Sequence, residues 1–260
     1  MAIFDTHAHY FDEAFDEDRE EVIKEVLSDN VAGFVEIGDS IEHSKLAIQR
    51  AKTSDKIWCA VGIHPENVED GTEENYALLE EMIKNKDENR IVAIGEIGLD
   101  YYWTKETIEE QKVVFRRQLD LAIKYDMPVV IHSREAHEDT YKIIEEYAKK
   151  GLTGIMHCFP GSVEMARMYE KLGMKMGIGG VLTFKNPKKL VDVVRELDMK
   201  NFVLETDCPY MTPEPHRGER NDSRMIKYVV SKMAELKGIS EKEVEDITYE
   251  NALSVYKLKK

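Results

Sequence analysis

The sequence predicts a (β/α)8 barrel. Three observations carry the prediction: eight short runs rich in Val and Ile, amphipathic helical segments between them, and a length of 260 residues with no Pro- or Gly-rich linker. Strands of a parallel sheet are covered on both faces, so they read as nearly continuous apolar runs rather than as alternating ones. A barrel of this type typically takes about 250 residues, and a single domain over residues 1–260 is expected. An open doubly wound sheet is the structural alternative, distinguished by a reversal of strand order that sequence does not display.

The expected strands cover residues 2–5, 31–37, 57–63, 91–97, 128–132, 154–159, 175–181 and 202–205. Each is too short for a typical helix and enriched in β-branched residues. Helical stripes follow. Val22, Ile23, Val26 and Leu27 form the first, and Tyr76, Leu79, Met82 and Ile83 another. Val114, Gln118, Leu121 and Tyr125 share a face less cleanly, whereas Leu190, Val193, Val194 and Leu197, then Met225, Ile226, Val229 and Met233, recur at helical spacing.

Composition narrows the function. No apolar run approaches the roughly 18–20 residues of a membrane-spanning helix, and no basic region followed by an apolar stretch opens the chain, so a cytoplasmic protein is expected. Cys59, Cys158 and Cys208 are odd in number and far apart, which argues against a disulfide framework. The net charge of -15 opposes nucleic-acid binding, which rests on neutralising phosphates. That charge is uneven: residues 1–30 hold 10 acids and 2 bases, and residues 235–250 hold 6 acids and 2 bases.

In a barrel, chemistry sits where strands end and βα loops begin. Five of the eight histidines fall there: His7 and His9 after strand 1, His64 after strand 3, His132 after strand 5 and His157 after strand 6. His7 and His9 are two apart on extended chain and point to one side, suited either to chelating a metal or to forming a polar loop pair. Glu96 lies inside an apolar run, where a carboxylate needs a cation or a proton. Its two oxygens suit a bridge between two metals about 3.5–4 Å apart. Asp207, on the last strand, is expected near the first. Four imidazoles and two carboxylates suit zinc, manganese, nickel or cobalt, and magnesium less naturally.

The motifs Asp5-Thr6-His7-Ala8-His9, Gly62-Ile63-His64-Pro65, Gly95-Glu96-Ile97-Gly98-Leu99-Asp100-Tyr101, Ile131-His132-Ser133-Arg134, His157-Cys158-Phe159 and Glu205-Thr206-Asp207-Cys208-Pro209 occur in order along the chain. Thr248-Tyr249-Glu250-Asn251-Ala252 closes the series. Together they resemble the TatD family of metal-dependent deoxyribonucleases, within the amidohydrolase-like barrel superfamily. The resemblance implies a TIM barrel of the metal-dependent hydrolase type holding two divalent ions. His7, His9, Glu96 and Asp207 would ligate one ion, and Glu96, His132 and His157 the other. Glu96 stands where related amidohydrolases often carry a carboxylated lysine. His64 is implied as a substrate contact, as is Arg217 in the loop after strand 8.

The implied reaction is phosphodiester hydrolysis of DNA, single-stranded or at ends, by a metal-activated water, with Glu96 and Asp207 as the catalytic carboxylates and Asp207 also as general base. Arg134 is a candidate phosphate clamp, and Tyr101 and Tyr102 are candidates to stack on a base. Trp103 and the methionines read as packing residues, and Cys158 and Cys208 as packing residues beside the ligands. Two competing readings remain: an amide or ester hydrolase on the same barrel, including an aminoacyl-tRNA deacylase, and a metal-binding scaffold without turnover. No membrane association and no obligate protein partner are expected.

Overall fold

A computed structural model describes residues 3–259. The strands are β1 (Ile3–Ala8), β2 (Val31–Ile37), β3 (Ile57–Val61), β4 (Ile91–Asp100), β5 (Val129–Arg134), β6 (Gly154–Met156), β7 (Met174–Ile178) and β8 (Phe202–Leu204). The helices are α1 (Arg19–Ser28), α2 (Ile41–Ala51), α3 (Glu73–Lys84), the single turn α4 (Lys86–Asn89), α5 (Ile108–Tyr125), α6 (His137–Ala148), α7 (Val163–Lys171), α8 (Lys188–Glu196), α9 (Ile226–Lys237) and α10 (Glu241–Val255). All eight strands lie in one sheet in the order β1 to β8, and a parallel bridge from Ala8 to Cys208 joins the first strand to the last segment. This is the (β/α)8 barrel.

The chain divides into two compact units, one of residues 1–35, 158–171 and 175–260, the other of residues 36–157 and 172–174. In the first unit, α10 is tied to the start of β8 by Asn251, whose Nδ2 donates to the carbonyls of Met199 and Phe202, each at 2.8 Å. Ser240 and Glu243 form a capping box at the start of the same helix, satisfying backbone donors that the first turn leaves open. In the second unit, β3, β4, β5 and β6 pair in parallel. None of the three cysteines is in a disulfide.

Several boundaries differ from the sequence expectation, and each has a local cause. Ala2 lies outside the described residues, and β1 continues through His7 to Ala8. β4 runs past Ile97 to Asp100, because its last residues pair with β5: Gly98 with His132 and Asp100 with Arg134. A side chain at Gly98 would place Cβ 2.0 Å from the His132 carbonyl oxygen, so this close pairing demands glycine. β3 stops at Val61; the Ile63 N–H and carbonyl bond instead to the amide of Gln118 at 2.8 and 3.0 Å. β6 ends at Met156, and residues 180–183 form a 3-10 turn beyond β7.

The untidy stripe of α5 is explained by the same bond. Its buried face is Gln111, Val114, Phe115, Gln118, Leu119 and Ala122, while Leu121 and Tyr125 are only half-buried. Two amides seven residues apart share this face. They are buried because they clip the polar backbone where β3 and β4 end.

Candidate metal centre

In the first unit, the backbone brings Asp207 beside β1: Asp207 N donates to the His7 carbonyl and His9 N to the Cys208 carbonyl, both at 3.0 Å. The Nε2 atoms of His7 and His9 then face one another at 2.9 Å, with Asp207 Oδ1 at 3.7 and 3.6 Å. Two nitrogens and one carboxylate oxygen lie within 4.8 Å of one another. This mixed donor set suits a divalent ion of the zinc, cobalt or manganese kind.

Asp5 supports this arrangement from below. Its carboxylate accepts from His7 N at 3.1 Å, Thr206 N at 3.0 Å, and the Thr206 and Ser223 hydroxyls at 2.7 Å each. Complete burial pushes its pKa up to about 7 despite those four bonds. Glu205 is also buried, accepting from Cys158 N at 2.6 Å. Gly177 leaves room for it, since a Cβ there would lie 2.1 Å from Glu205 Oε2.

The second unit holds a second donor group, His64, Glu96 and His132, again within 4.8 Å. Glu96 is 5% exposed on β4. His132 lies between two carboxylates: Nδ1 to Glu96 Oε1 and Nε2 to Asp100 Oδ2, both 2.9 Å. Burial alone would depress its pKa, but the bonds to Asp100 and Glu96 carry it up to about 9, so it is an imidazolium in the absence of a metal. Burial, reinforced by the neighbouring His132, lowers His64 to about 4 and keeps it neutral.

His64 Nδ1 accepts from Glu66 N at 3.2 Å, so Nε2 carries the ring proton and faces Glu96 Oε1 at 3.7 Å. A neutral imidazole has one acceptor nitrogen, and here it is already used. His64 therefore turns an N–H rather than a lone pair towards Glu96, at a separation longer than a hydrogen bond. His157 lies just beyond β6, its N–H bonded to the Ile131 carbonyl at 3.0 Å.

Asp100 is the residue that sequence reasoning missed. One oxygen holds His132; the other accepts from Tyr102 N and Trp103 N at 2.8 Å each. Its position at the end of β4, four residues from Glu96, is visible in the sequence, but its contact with His132 follows from the register of β4 against β5.

The substrate-contact candidates are placed unequally. Arg134 is exposed, with its guanidinium carbon 4.1 Å from the Tyr102 ring centre and 5.3 Å from that of Trp103. The Tyr101 hydroxyl donates to Asp139 Oδ2 at 2.8 Å, which ties the ring to α6. Trp103, read from sequence as a packing residue, is instead 61% exposed. Arg217 lies over Phe184 at 3.9 Å and donates to the Thr212 carbonyl at 3.0 Å, which holds the loop after β8. Arg220 pairs with Asp18, and Arg224 with Asp222 and Glu25. Part of the acidic N-terminal segment thus neutralises arginines of its own unit.

A (β/α)8 barrel with His, Asp and Glu donor groups at its strand ends defines a metal-dependent hydrolase. The TatD related DNase model matches residues 4–257, and the chain belongs to that family. It is 41% identical over 256 residues to the uncharacterized metal-dependent hydrolase YabD of Bacillus subtilis, covering 98% of this chain and 99% of that one. Against the uncharacterized metal-dependent hydrolase YcfH of Escherichia coli, identity is 34% over 197 residues, covering 76% and 72%. Among solved structures, the TatD homologue YjjV of Escherichia coli superposes with a TM-score of 0.92 at 26% identity, over 99% of this chain and 98% of that one.

Proposed function

We propose that this chain is a deoxyribonuclease that hydrolyses phosphodiester bonds of DNA, taking single strands or ends as substrate. The observation that carries the reading is Arg134: two residues beyond His132 on β5, it presents a guanidinium beside two aromatic rings. Residues i and i+2 of a strand share a face, so a phosphate clamp and a metal-site histidine are presented together. The family match supports the same reading.

His7, His9, Glu96 and Asp207 would hold one divalent ion, and Glu96, His132 and His157 would hold the other. When bound, the ions supply Lewis acidity that acidifies a water and offsets charge on phosphoryl oxygens. Asp207, with 19% of its side chain exposed, takes the proton of the attacking water. As the new oxygen–phosphorus bond forms, the bond to the leaving oxygen breaks. Arg134 holds a non-bridging oxygen through a charge-assisted bond. His64, with its Nε2–H turned towards the centre, is the substrate contact. Asp100 fixes the ring of His132, as carboxylates behind metal-ligating histidines do.

Incubation of end-labelled single-stranded DNA with zinc, manganese, cobalt, nickel or magnesium tests the proposal, with ester and amide substrates in parallel. Metal-stimulated release of nucleotides supports it. Turnover of esters or amides alone assigns the chain to another hydrolase class.

A further inference from the structure

The geometry points to a stacking platform for one unpaired nucleobase, formed by the indole of Trp103 with Tyr102 and Arg134; the inference rests on the nuclease reading and names its recognition element. Trp103 is 61% and Tyr102 47% exposed, and their rings meet nearly perpendicular, 85° apart with centres 4.7 Å from one another. Arg134 covers Tyr102, at 4.1 Å, and sits farther from Trp103, at 5.3 Å. Two largely exposed aromatic rings therefore stand beside a cation.

Exposed indoles are common on mobile loops, but this loop is built into the core. Asp100, fully buried, accepts from the backbone of both aromatic residues. Gln111, 1% exposed, accepts from Asp100 N at 2.8 Å and donates to the Asp100 and Thr104 carbonyls at 2.9 and 2.8 Å. Tyr101 N bonds to the Arg134 carbonyl at 2.9 Å, and the Tyr101 hydroxyl to Asp139. Buried polar groups are costly unless fully satisfied, and here they are assembled to hold an apolar ring in water.

The occupant is fixed by chemistry. A flat π face beside a guanidinium accepts a planar base and its phosphate, the combination used by proteins that bind single strands. A base inside a duplex has both faces covered by its neighbours and cannot lie on the indole, whereas an unpaired base can. Because Asp100 also holds His132, the platform and the metal-site histidine are positioned by one carboxylate.

The test compares an eight-residue oligothymidylate with an abasic strand of the same length and charge, on the metal-loaded protein. Stacking is worth about 1–3 kcal/mol per base, so wild type binds the base-bearing strand roughly five- to hundredfold more tightly than the abasic one. Trp103→Ala closes that gap, and Trp103→Phe restores most of it. Base-bearing strand quenches the Trp103 fluorescence, read as the difference between wild type and Trp103→Phe. Equal affinity of wild type for the two strands, or a gap that Trp103→Ala leaves intact, overturns the platform. A protein that binds and quenches as described but cleaves no DNA with any metal keeps the platform and refutes the nuclease reading instead.

Discussion

Replacing Gln111 by leucine is expected to lower the melting temperature by about 4–12 °C. The side chain is buried on α5 and bonded on both sides of its amide. Its carbonyl takes the Asp100 N–H at 2.8 Å, a donor on the last residue of β4 that points away from β5. Stranding a buried donor costs about 1–3 kcal/mol. The two N–H groups of Gln111 bond to Asp100 and Thr104 carbonyls that keep other donors, the Thr104 hydroxyl at 3.0 Å and Thr107 N at 3.3 Å. Those bonds are worth about 0.5–1 kcal/mol each, and the apolar burial of leucine offsets up to about 2 kcal/mol of the upper end, so the net loss is about 2–3 kcal/mol. Each kcal/mol moves the melting point of a chain this large by about 2–4 °C. Calorimetry of both proteins under one metal condition measures the shift. A variant melting within about 1 °C of wild type refutes the idea that Gln111 anchors the end of β4.

The remaining predictions address the site, the charge distribution and pH. Glu96→Gln keeps the shape of the side chain but removes its charge, so metal content after reconstitution and hydrolytic activity both fall; full occupancy with full activity refutes the bridging role. Arg134→Ala weakens oligonucleotide binding about tenfold, in line with loss of a charge-assisted bond, whereas Arg224→Ala, already paired with Asp222 and Glu25, changes it less than about twofold; fluorescence titration reads both. Hydrogen bonds from Lys124 and then Tyr125 lower Glu80 from 4.5 to about 2. A depressed carboxylate contributes stability above its unfolded pKa that is lost as pH falls through the folded one. Between pH 4.5 and 2, the melting temperature of Glu80→Gln therefore falls less steeply than that of wild type, and parallel curves contradict the pairing.

Much of this was legible in the sequence because burial is. The runs around Phe34, Ala60, Ile94 and Val130 are buried strands, and their apolar composition says so directly. Histidines at the ends of such runs stood out for the same reason, as did Glu96. Other features depend on contacts distant in sequence. Gln118 looked like a defect in the α5 stripe until its bonds to Ile63 were seen. That Asp100 joins Glu96 as a partner of His132 follows from the β4–β5 register, which pairs Gly98 with His132. Trp103 was misread because composition does not distinguish an indole held in water from one in the core; its exposure follows from Asp100 and Gln111 holding the backbone.

The central claim is hydrolysis of DNA phosphodiesters by a metal-loaded barrel in which Asp207 takes the proton of the attacking water. Its most direct test is the release of nucleotides from end-labelled single-stranded DNA, with wild type and Asp207→Asn assayed together across divalent metals. The account predicts metal-stimulated cleavage by wild type, suppressed by chelation and reduced at least a hundredfold in Asp207→Asn, on the order expected for loss of a general base. Absence of cleavage with every metal, or equal cleavage by the two proteins, contradicts it.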